Sequence, residues 1–124
     1  MRNRRRAQKM RSALFQSVDL IMQDWKLCAE EKLVLLGLRS QNEFNALCSG
    51  TLLPKNEVLL RASSVVQIHR ALHTLLPSRS AADGWVKRPN KAEICKGRTA
   101  LAVMLAEGLS GMQKVHSYLM SYAS

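Results

Sequence analysis

The chain has 124 residues, of which 47% are apolar, and a formal net charge of +10 at pH 7. This length allows one moderate hydrophobic core or two small helical ones, and it excludes a second large domain. Only three prolines and six glycines interrupt a sequence rich in helix-forming residues, which predicts an all-α fold.

The sequence contains no run of eighteen apolar residues, and the Arg-rich start is not followed by the apolar stretch of a secretory signal. We therefore expect a cytoplasmic protein that does not contact a membrane. Cys28, Cys48 and Cys95 are odd in number and widely spaced, so they form neither a paired disulfide framework nor a C-x-x-C metal clamp. We expect them to be small reduced core residues.

The positive charge is concentrated at the N-terminus. Residues 1–12 carry six positive charges and no negative one, whereas residues 13–82 have a net charge of +1 and residues 83–124 a net charge of +3. Such a segment is typical of arms that lie along nucleic acid, and it predicts DNA contacts from Arg4, Arg5 and Arg6. The alternative is a disordered solubilising tail.

Two helices are predicted before residue 40. Apolar residues at positions 14, 18, 21 and 25 follow one helix face and predict a helix ending near Asp24 or Trp25. A second helix fits Ala29 to Leu36, with Glu30 and Glu31 in its first turn, where carboxylates suit the helix dipole. Gly37 ends this helix.

A third predicted helix follows a short turn after the second, and this arrangement is typical of a helix-turn-helix. Ser40 and Glu43 form a capping box, and the helix ends near Ser49 and Gly50. Phe44 and Leu47 point inward, which leaves three amides outside to bond base edges in the major groove: Gln41, Asn42 and Asn45. Phosphate contacts are predicted for Arg39, Lys55 and Arg61. The alternative is a helical pair kept only as scaffold.

A long helix from Pro54 through Leu76 has apolar residues around much of its circumference, so it should be covered on more than one side. This predicts a spine between two halves or a homodimer contact; the alternative is a simple core helix. A boundary at Pro77–Ser80 divides the chain into a basic arm (1–12), a helix-turn-helix region with the long helix (13–77) and a C-terminal domain (78–124).

Three helices are predicted in the C-terminal domain. Ser78 or Ser80 caps a helix that reaches Val86 and ends before Pro89, and Thr99 caps a helix from Ala100 to Glu107. The last helix has an apolar stripe at Met112, Val115, Leu119 and Tyr122. His116, Tyr118 and Met120 fall off this stripe and would be available to a partner.

No catalytic or cofactor site is predicted. His69 and His73 are four residues apart on a helix and could share a metal, but Arg70 replaces the Glu of H-E-x-x-H and no third ligand is evident. Neither a Gly-rich phosphate loop nor a nucleophile elbow or paired carboxylates can be found. We therefore expect a non-enzyme without metal or cofactor.

The C-terminal sequence resembles the toxin-binding domain of the Xre/MbcA/ParS-like antitoxins. The resemblance is carried by the order Trp85-Val86-Lys87-Arg88-Pro89-Asn90, then Gly97-Arg98-Thr99 opening a helix, then Val115-His116-Ser117-Tyr118-Leu119. Upstream, Trp25-Lys26-Leu27-Cys28, Glu31 and Leu35-Leu36-Gly37 are similar to the helix-turn-helix region of that family. Together the resemblance covers roughly residues 14–122.

The resemblance implies an antitoxin of a type II toxin–antitoxin pair that neutralises a toxin, usually a RES-domain toxin acting on NAD, and represses its own operon. In such antitoxins the C-terminal end lies against the toxin's active-site cleft. The residues expected to bind the toxin here are Trp85, Arg98, Val115, His116, Tyr118, Leu119, Tyr122 and Ser124. His116 departs from the Arg of the family pattern, and Cys28 stands where a capping Ser is more usual.

Two further alternatives remain. A stand-alone dimeric helix-turn-helix regulator would use the C-terminal half only for dimerisation. The basic cluster near residue 90 could be a solvated loop, a second DNA-facing patch or a complement to an acidic toxin; its members are Lys87, Arg88, Lys91, Lys96 and Arg98.

Overall fold

A computed structural model describes residues 2–123, which form seven α-helices, one short 3-10 helix and no β-strand beyond an isolated bridge. The all-α prediction is confirmed. The helices are α1 (Arg2–Asp24), α2 (Ala29–Leu36), α3 (Gln41–Ser49), α4 (Asn56–Leu75), α5 (Arg79–Gly84), the 3-10 helix (Trp85–Lys87), α6 (Ala100–Glu107) and α7 (Leu109–Ala123). None of the helices between residues 2 and 123 combines the length and the apolar character needed to cross a membrane.

Helix α1 begins at Arg2, so the basic segment predicted as an arm is the first three turns of a helix. Its Arg, Ala, Gln, Lys and Met residues are good helix formers, and no Gly or Pro separates them from the apolar part of the helix. Two glutamines anchor α1 to the end of α3: Gln8 donates to the Gly50 carbonyl, and Gln16 donates to the Cys48 carbonyl over 2.8 Å. The predicted face is confirmed, since Val18, Ile21 and Trp25 are buried.

The predicted bounds of α2 and α3 are confirmed. Gly37 ends α2 with a φ of 74°, a left-handed conformation that favours glycine. The Ser40 hydroxyl accepts a hydrogen bond from the Glu43 N–H over 3.2 Å and caps α3. The Glu43 carboxylate accepts from the Arg39 N–H over 2.8 Å instead of from Ser40, so the capping box is shifted by one residue on that side.

Helix α4 lies at the centre of the fold and packs against α7, α1, α5 and α2. The prediction that it is covered on several sides is confirmed, although it begins two residues after Pro54, at Asn56. This covering comes from a single chain, so the apolar circumference of α4 is no reason to expect a dimer. Because α4 packs on α7 across the boundary at residues 77–78, the two predicted regions share one hydrophobic core. Their division by function stays a prediction.

Helices α6 and α7 approach each other closely at one glycine. A Cβ at Gly111 would lie 2.7 Å from the Val103 carbonyl oxygen, closer than a methyl group can approach. Thr99 caps α6 as predicted. On α7, Met112 is buried as predicted, but Tyr122 is 66% exposed, so the apolar stripe ends one turn earlier than the sequence suggests.

The three cysteines are free thiols in different surroundings. Cys95 is buried and Cys48 half-buried, which fits the expectation of core residues, but Cys28 is exposed. Cys28 precedes α2, where its backbone N–H donates to the Glu31 carboxylate over 2.9 Å. The expectation that it lies in the core is wrong because a residue before an amphipathic helix sits at the helix end, outside the buried stripe.

Candidate functional sites

The loop from residue 88 to residue 99 is closed by hydrogen bonds between residues of the resemblance motif. The Asn90 N–H donates to the Arg98 carbonyl over 3.1 Å, and the Gly97 N–H donates to the Asn90 carbonyl over 3.0 Å. The Asn90 side chain accepts from the Ala92 N–H over 2.8 Å. Much of the motif therefore builds a defined loop ahead of α6. The loop and the turn before it hold the basic cluster at the surface, where all five cations are exposed: Lys87, Arg88, Lys91, Lys96 and Arg98.

An aromatic cluster joins the turn after α5 to the end of α7. The rings of Trp85 and Tyr118 are stacked at 6.4 Å, and those of Tyr118 and Tyr122 meet edge to face at 5.2 Å. The Tyr118 hydroxyl donates to the Tyr122 hydroxyl over 3.3 Å. This hydrogen bond and, after it, partial burial raise the pKa of Tyr118 above its usual range.

The aromatic cluster borders an open groove of about 350 Å³, which we call the aromatic groove. Its other walls are aliphatic and come from the end of α4 and from α7: Leu72, Leu75, Leu76 and Leu119. Tyrosine and tryptophan offer large apolar rings with a polar tip, a combination enriched at protein interfaces. The aromatic groove can therefore accept an apolar side chain or a short segment of another protein.

The predicted toxin-binding residues do not all reach one surface. Trp85, Tyr118 and Tyr122 form the aromatic cluster, and Leu119 lines the groove although only 4% of it is exposed. Val115 is fully buried, so a direct contact with a partner does not fit its position.

The other predicted toxin-binding residues lie apart from the aromatic groove. His116 borders a separate shallow groove with Arg70, Thr74 and Met120. Arg98 is tied to the Glu107 carboxylate, 3.5 Å away. Ser124 lies outside the described residues.

Apart from Arg61, the predicted DNA-binding residues are all exposed. On α3, the Gln41 side-chain amide donates to the Asn45 amide oxygen over 2.9 Å, so two of the three amides are hydrogen-bonded to each other. Gln8 ties the first part of α1 to Gly50, immediately after α3. Arg4 and Arg5 are one turn before Gln8 and share its side of the helix. The basic end of α1 is thus brought to the C-terminal end of α3.

Arg61 does not fit its predicted role as a phosphate contact. Its guanidinium donates to the carbonyls of Val34 (3.5 Å) and Leu35 (3.4 Å) at the end of α2, and its side chain is only 17% exposed. A cation at this position satisfies carbonyl groups that have no partner within the helix. The prediction is wrong because spacing along α4 does not reveal a contact with a helix 26 residues upstream.

The structure also places a third potential metal ligand beside His69 and His73. Asp83 on α5 lies 2.9 Å from His73, measured from Oδ1 to Nε2. The rings of His69 and His73 are 4.2 Å apart. Burial, followed by the proximity of His73, lowers the pKa of His69 below its usual value. Sequence spacing identified the histidine pair, but not the carboxylate that the α4–α5 turn brings to it.

Comparison with known proteins shows that the sequence is similar to that of one curated protein. The chain is 32% identical over 96 residues to uncharacterized protein y4oB of Sinorhizobium fredii (strain NBRC 101917 / NGR234), a match that covers 77% of this chain and 72% of y4oB. The chain belongs to the family of y4oB. No family model and no solved structure matches the chain. The similarity to y4oB therefore shows to which family the chain belongs, but it does not indicate a biochemical activity.

Proposed function

We propose that the chain is the antitoxin of a type II toxin–antitoxin pair, similar to the Xre/MbcA/ParS-like antitoxins. It binds and neutralises a cognate toxin, of the RES-domain type that acts on NAD, and it represses its own operon by binding operator DNA. It acts in the cytoplasm, as a homodimer on DNA. The observation that carries this proposal is the aromatic cluster beside an apolar groove, to which the resemblance motif contributes Trp85, Tyr118 and Leu119.

The toxin-binding part of the proposal is supported by the kind of surface that the aromatic groove offers. Tyr122 is 66% exposed, although it is a large aromatic residue. An exposed aromatic side chain beside aliphatic walls is typical of a protein interaction site. The basic cluster on the neighbouring loop adds positive charge, which would attract an acidic partner and speed association.

The DNA-binding part is supported by the exposed amides of α3 and the charge on α1. Gln41, Asn42 and Asn45 are amides that can bond an adenine edge in two places at once. Arg4, Arg5 and Arg6 on α1 offer phosphate contacts, and Arg4 and Arg5 share the side of α1 that Gln8 ties to the C-terminal end of α3. Such contacts would position α3 on the duplex, while the amides would select the sequence.

A stand-alone helix-turn-helix regulator is the second candidate function. The aromatic groove would then be covered by a second copy of the chain, and no toxin would be required. Sedimentation distinguishes the two candidates: in a regulator of this kind, alanine at Tyr118 and Tyr122 would produce monomers. In an antitoxin that dimerises elsewhere, the same changes would leave the oligomeric state unchanged.

Co-expression with the product of the neighbouring gene tests the toxin-binding part. The wild-type chain should restore growth and co-purify with that product, whereas Tyr118→Ala with Tyr122→Ala should do neither. The matched control changes two exposed residues of α7 that do not border the aromatic groove, Gln113→Ala with Ser117→Ala. Full rescue by the tyrosine variant would refute the role of the groove. Point substitutions are preferable to removing residues 118–124, since truncation would also remove the buried Leu119.

A further inference from the structure

Three potential metal ligands converge at the corner between α4 and α5. His69 and His73 are one turn apart near the end of α4, and Asp83 faces them from α5. One nitrogen or oxygen atom from each side chain lies within 4.8 Å of the others. The three residues come from two helices joined by a short turn, so the backbone already holds them on the same side of the fold.

We propose that His69, His73 and Asp83 bind one divalent transition-metal ion of the zinc class. Imidazole nitrogens and a carboxylate oxygen are ligands that zinc prefers, at about 2.0–2.2 Å from the ion. Ligand atoms around a tetrahedral ion at that distance lie about 3.3–3.6 Å apart. Small side-chain rotations would therefore close the cluster around an ion, since the three atoms already lie within 4.8 Å of one another. Water would fill the remaining position.

The surroundings of Asp83 favour this arrangement. Arg79 pairs with Oδ2 of Asp83 over 3.5 Å, which orients the carboxylate and leaves Oδ1 directed at His73. The Arg79 side chain is 77% exposed and also reaches Asp24, 3.7 Å away, so its charge is shared between two carboxylates and with solvent. A second cation can therefore enter beside Oδ1 at a small electrostatic cost.

The bound ion would act as a clamp between α4 and α5. Only Leu76, Pro77 and Ser78 separate the two helices, and Trp85 follows α5 immediately. Holding α5 against the end of α4 also holds Trp85 in its stack on Tyr118. We expect the metal to stabilise the folded chain and to restrict the corner that supports the aromatic cluster.

Calorimetric titration of the metal-free, untagged chain with zinc chloride tests the proposal, followed by thermal melting with and without zinc. The wild-type chain should bind one ion and melt roughly 5–10 °C higher in excess zinc. His69→Gln should lose both effects while melting like the wild type without metal, because the His73–Asp83 hydrogen bond remains. Asp83→Asn should also lose the zinc response.

Two control variants test whether residues outside the cluster bind the zinc ion. His116 is the third histidine of the chain and lies outside the cluster, so His116→Gln should respond to zinc like the wild type. Cys28 is an exposed thiol, and Cys28→Ser should also respond like the wild type. Absence of zinc binding by the wild type would overturn the proposal. A full response in His69→Gln, or a loss of the response in either control, would also overturn it.

Discussion

The two ends of α4 carry surfaces of opposite chemistry. Near its start, at Val58, α4 borders α3 and the turn before it, whose outer face presents amides and cations. Near its end, at Leu72 to Leu76, it borders the aromatic groove, whose walls are aliphatic and aromatic. At 1.5 Å per residue the two regions are about 20–25 Å apart along the helix. Hydrogen-bonding amides suit base edges, whereas an apolar groove suits a protein, so under the proposed function one small core would support a separate surface for each partner.

The largest expected effect concerns the helix-turn-helix surface. Replacing Gln41, Asn42 and Asn45 together with Ala should weaken binding to the chain's own promoter by on the order of 1,000-fold, because the contacts to base edges are lost. Binding to unrelated DNA should persist through the basic residues and fall steeply with salt. Fluorescence anisotropy with promoter and scrambled duplexes measures both.

The matched control for this triple variant changes two exposed side-chain amides of α4, Asn56→Ala with Gln67→Ala. It should keep the wild-type preference for the promoter. Toxin binding should be unchanged in both variants. If the triple variant protects the promoter as the wild type does, α3 is not the recognition helix.

The second effect concerns the aromatic groove. Tyr118→Ala with Tyr122→Ala should weaken toxin binding by about 100-fold or more, since two tyrosines at the centre of an interface commonly act as hot spots. Promoter binding should stay within a factor of about two, because the two surfaces border opposite ends of α4. Surface plasmon resonance against the toxin and the promoter duplex gives both affinities. An equal loss on both ligands would show that the surfaces are not independent.

A third change probes the packing that supports the aromatic end. Gly111→Ala should lower the free energy of unfolding by about 1–3 kcal/mol, since its methyl group would press on the Val103 carbonyl and force α6 and α7 apart. The neighbouring exposed change Ser110→Ala should leave stability nearly unaltered. Urea unfolding followed by circular dichroism measures the difference. Equal stability of the two variants would mean that α6 and α7 accommodate the added methyl group without a loss of folding free energy.

The smallest effect is a titration within the aromatic cluster. Tyr122→Phe removes the hydroxyl that accepts from Tyr118, so the pKa of Tyr118 should fall back toward its ordinary value of 10.0. Because the folded-state pKa is raised, the stability that this contact contributes is present below about pH 10 and is lost as the pH rises through the folded-state value. Ultraviolet absorbance of the phenolate at alkaline pH follows the titration. An unchanged pKa in the variant would show that the hydrogen bond does not form.

Local signals explain what could be predicted from the sequence. The bounds of α2, α3 and α6 follow from residues beside them: Gly37 ends α2, Ser40 caps α3 and Thr99 caps α6. Each of these contacts spans only a few residues, so the local sequence is sufficient to predict where each of these helices begins or ends. The exposure of the α3 amides follows in the same way from helical periodicity.

Long-range contacts explain what could not be predicted. Arg61 points back to the end of α2, and Asp83 meets His73 only because α5 folds against α4. Tyr122 fits the apolar stripe of α7 but extends beyond the element that would bury it. These positions depend on how helices pack, which periodicity along one helix does not specify.

The most direct test of two independent surfaces is a ternary complex. The wild-type chain is bound to a labelled duplex from its own promoter, the toxin is added, and the mass of the labelled species is measured by analytical ultracentrifugation. Since α3 and the aromatic groove border opposite ends of α4, the labelled species should gain the mass of the toxin while the duplex stays bound. Release of the duplex in proportion to the toxin added would contradict two separable surfaces.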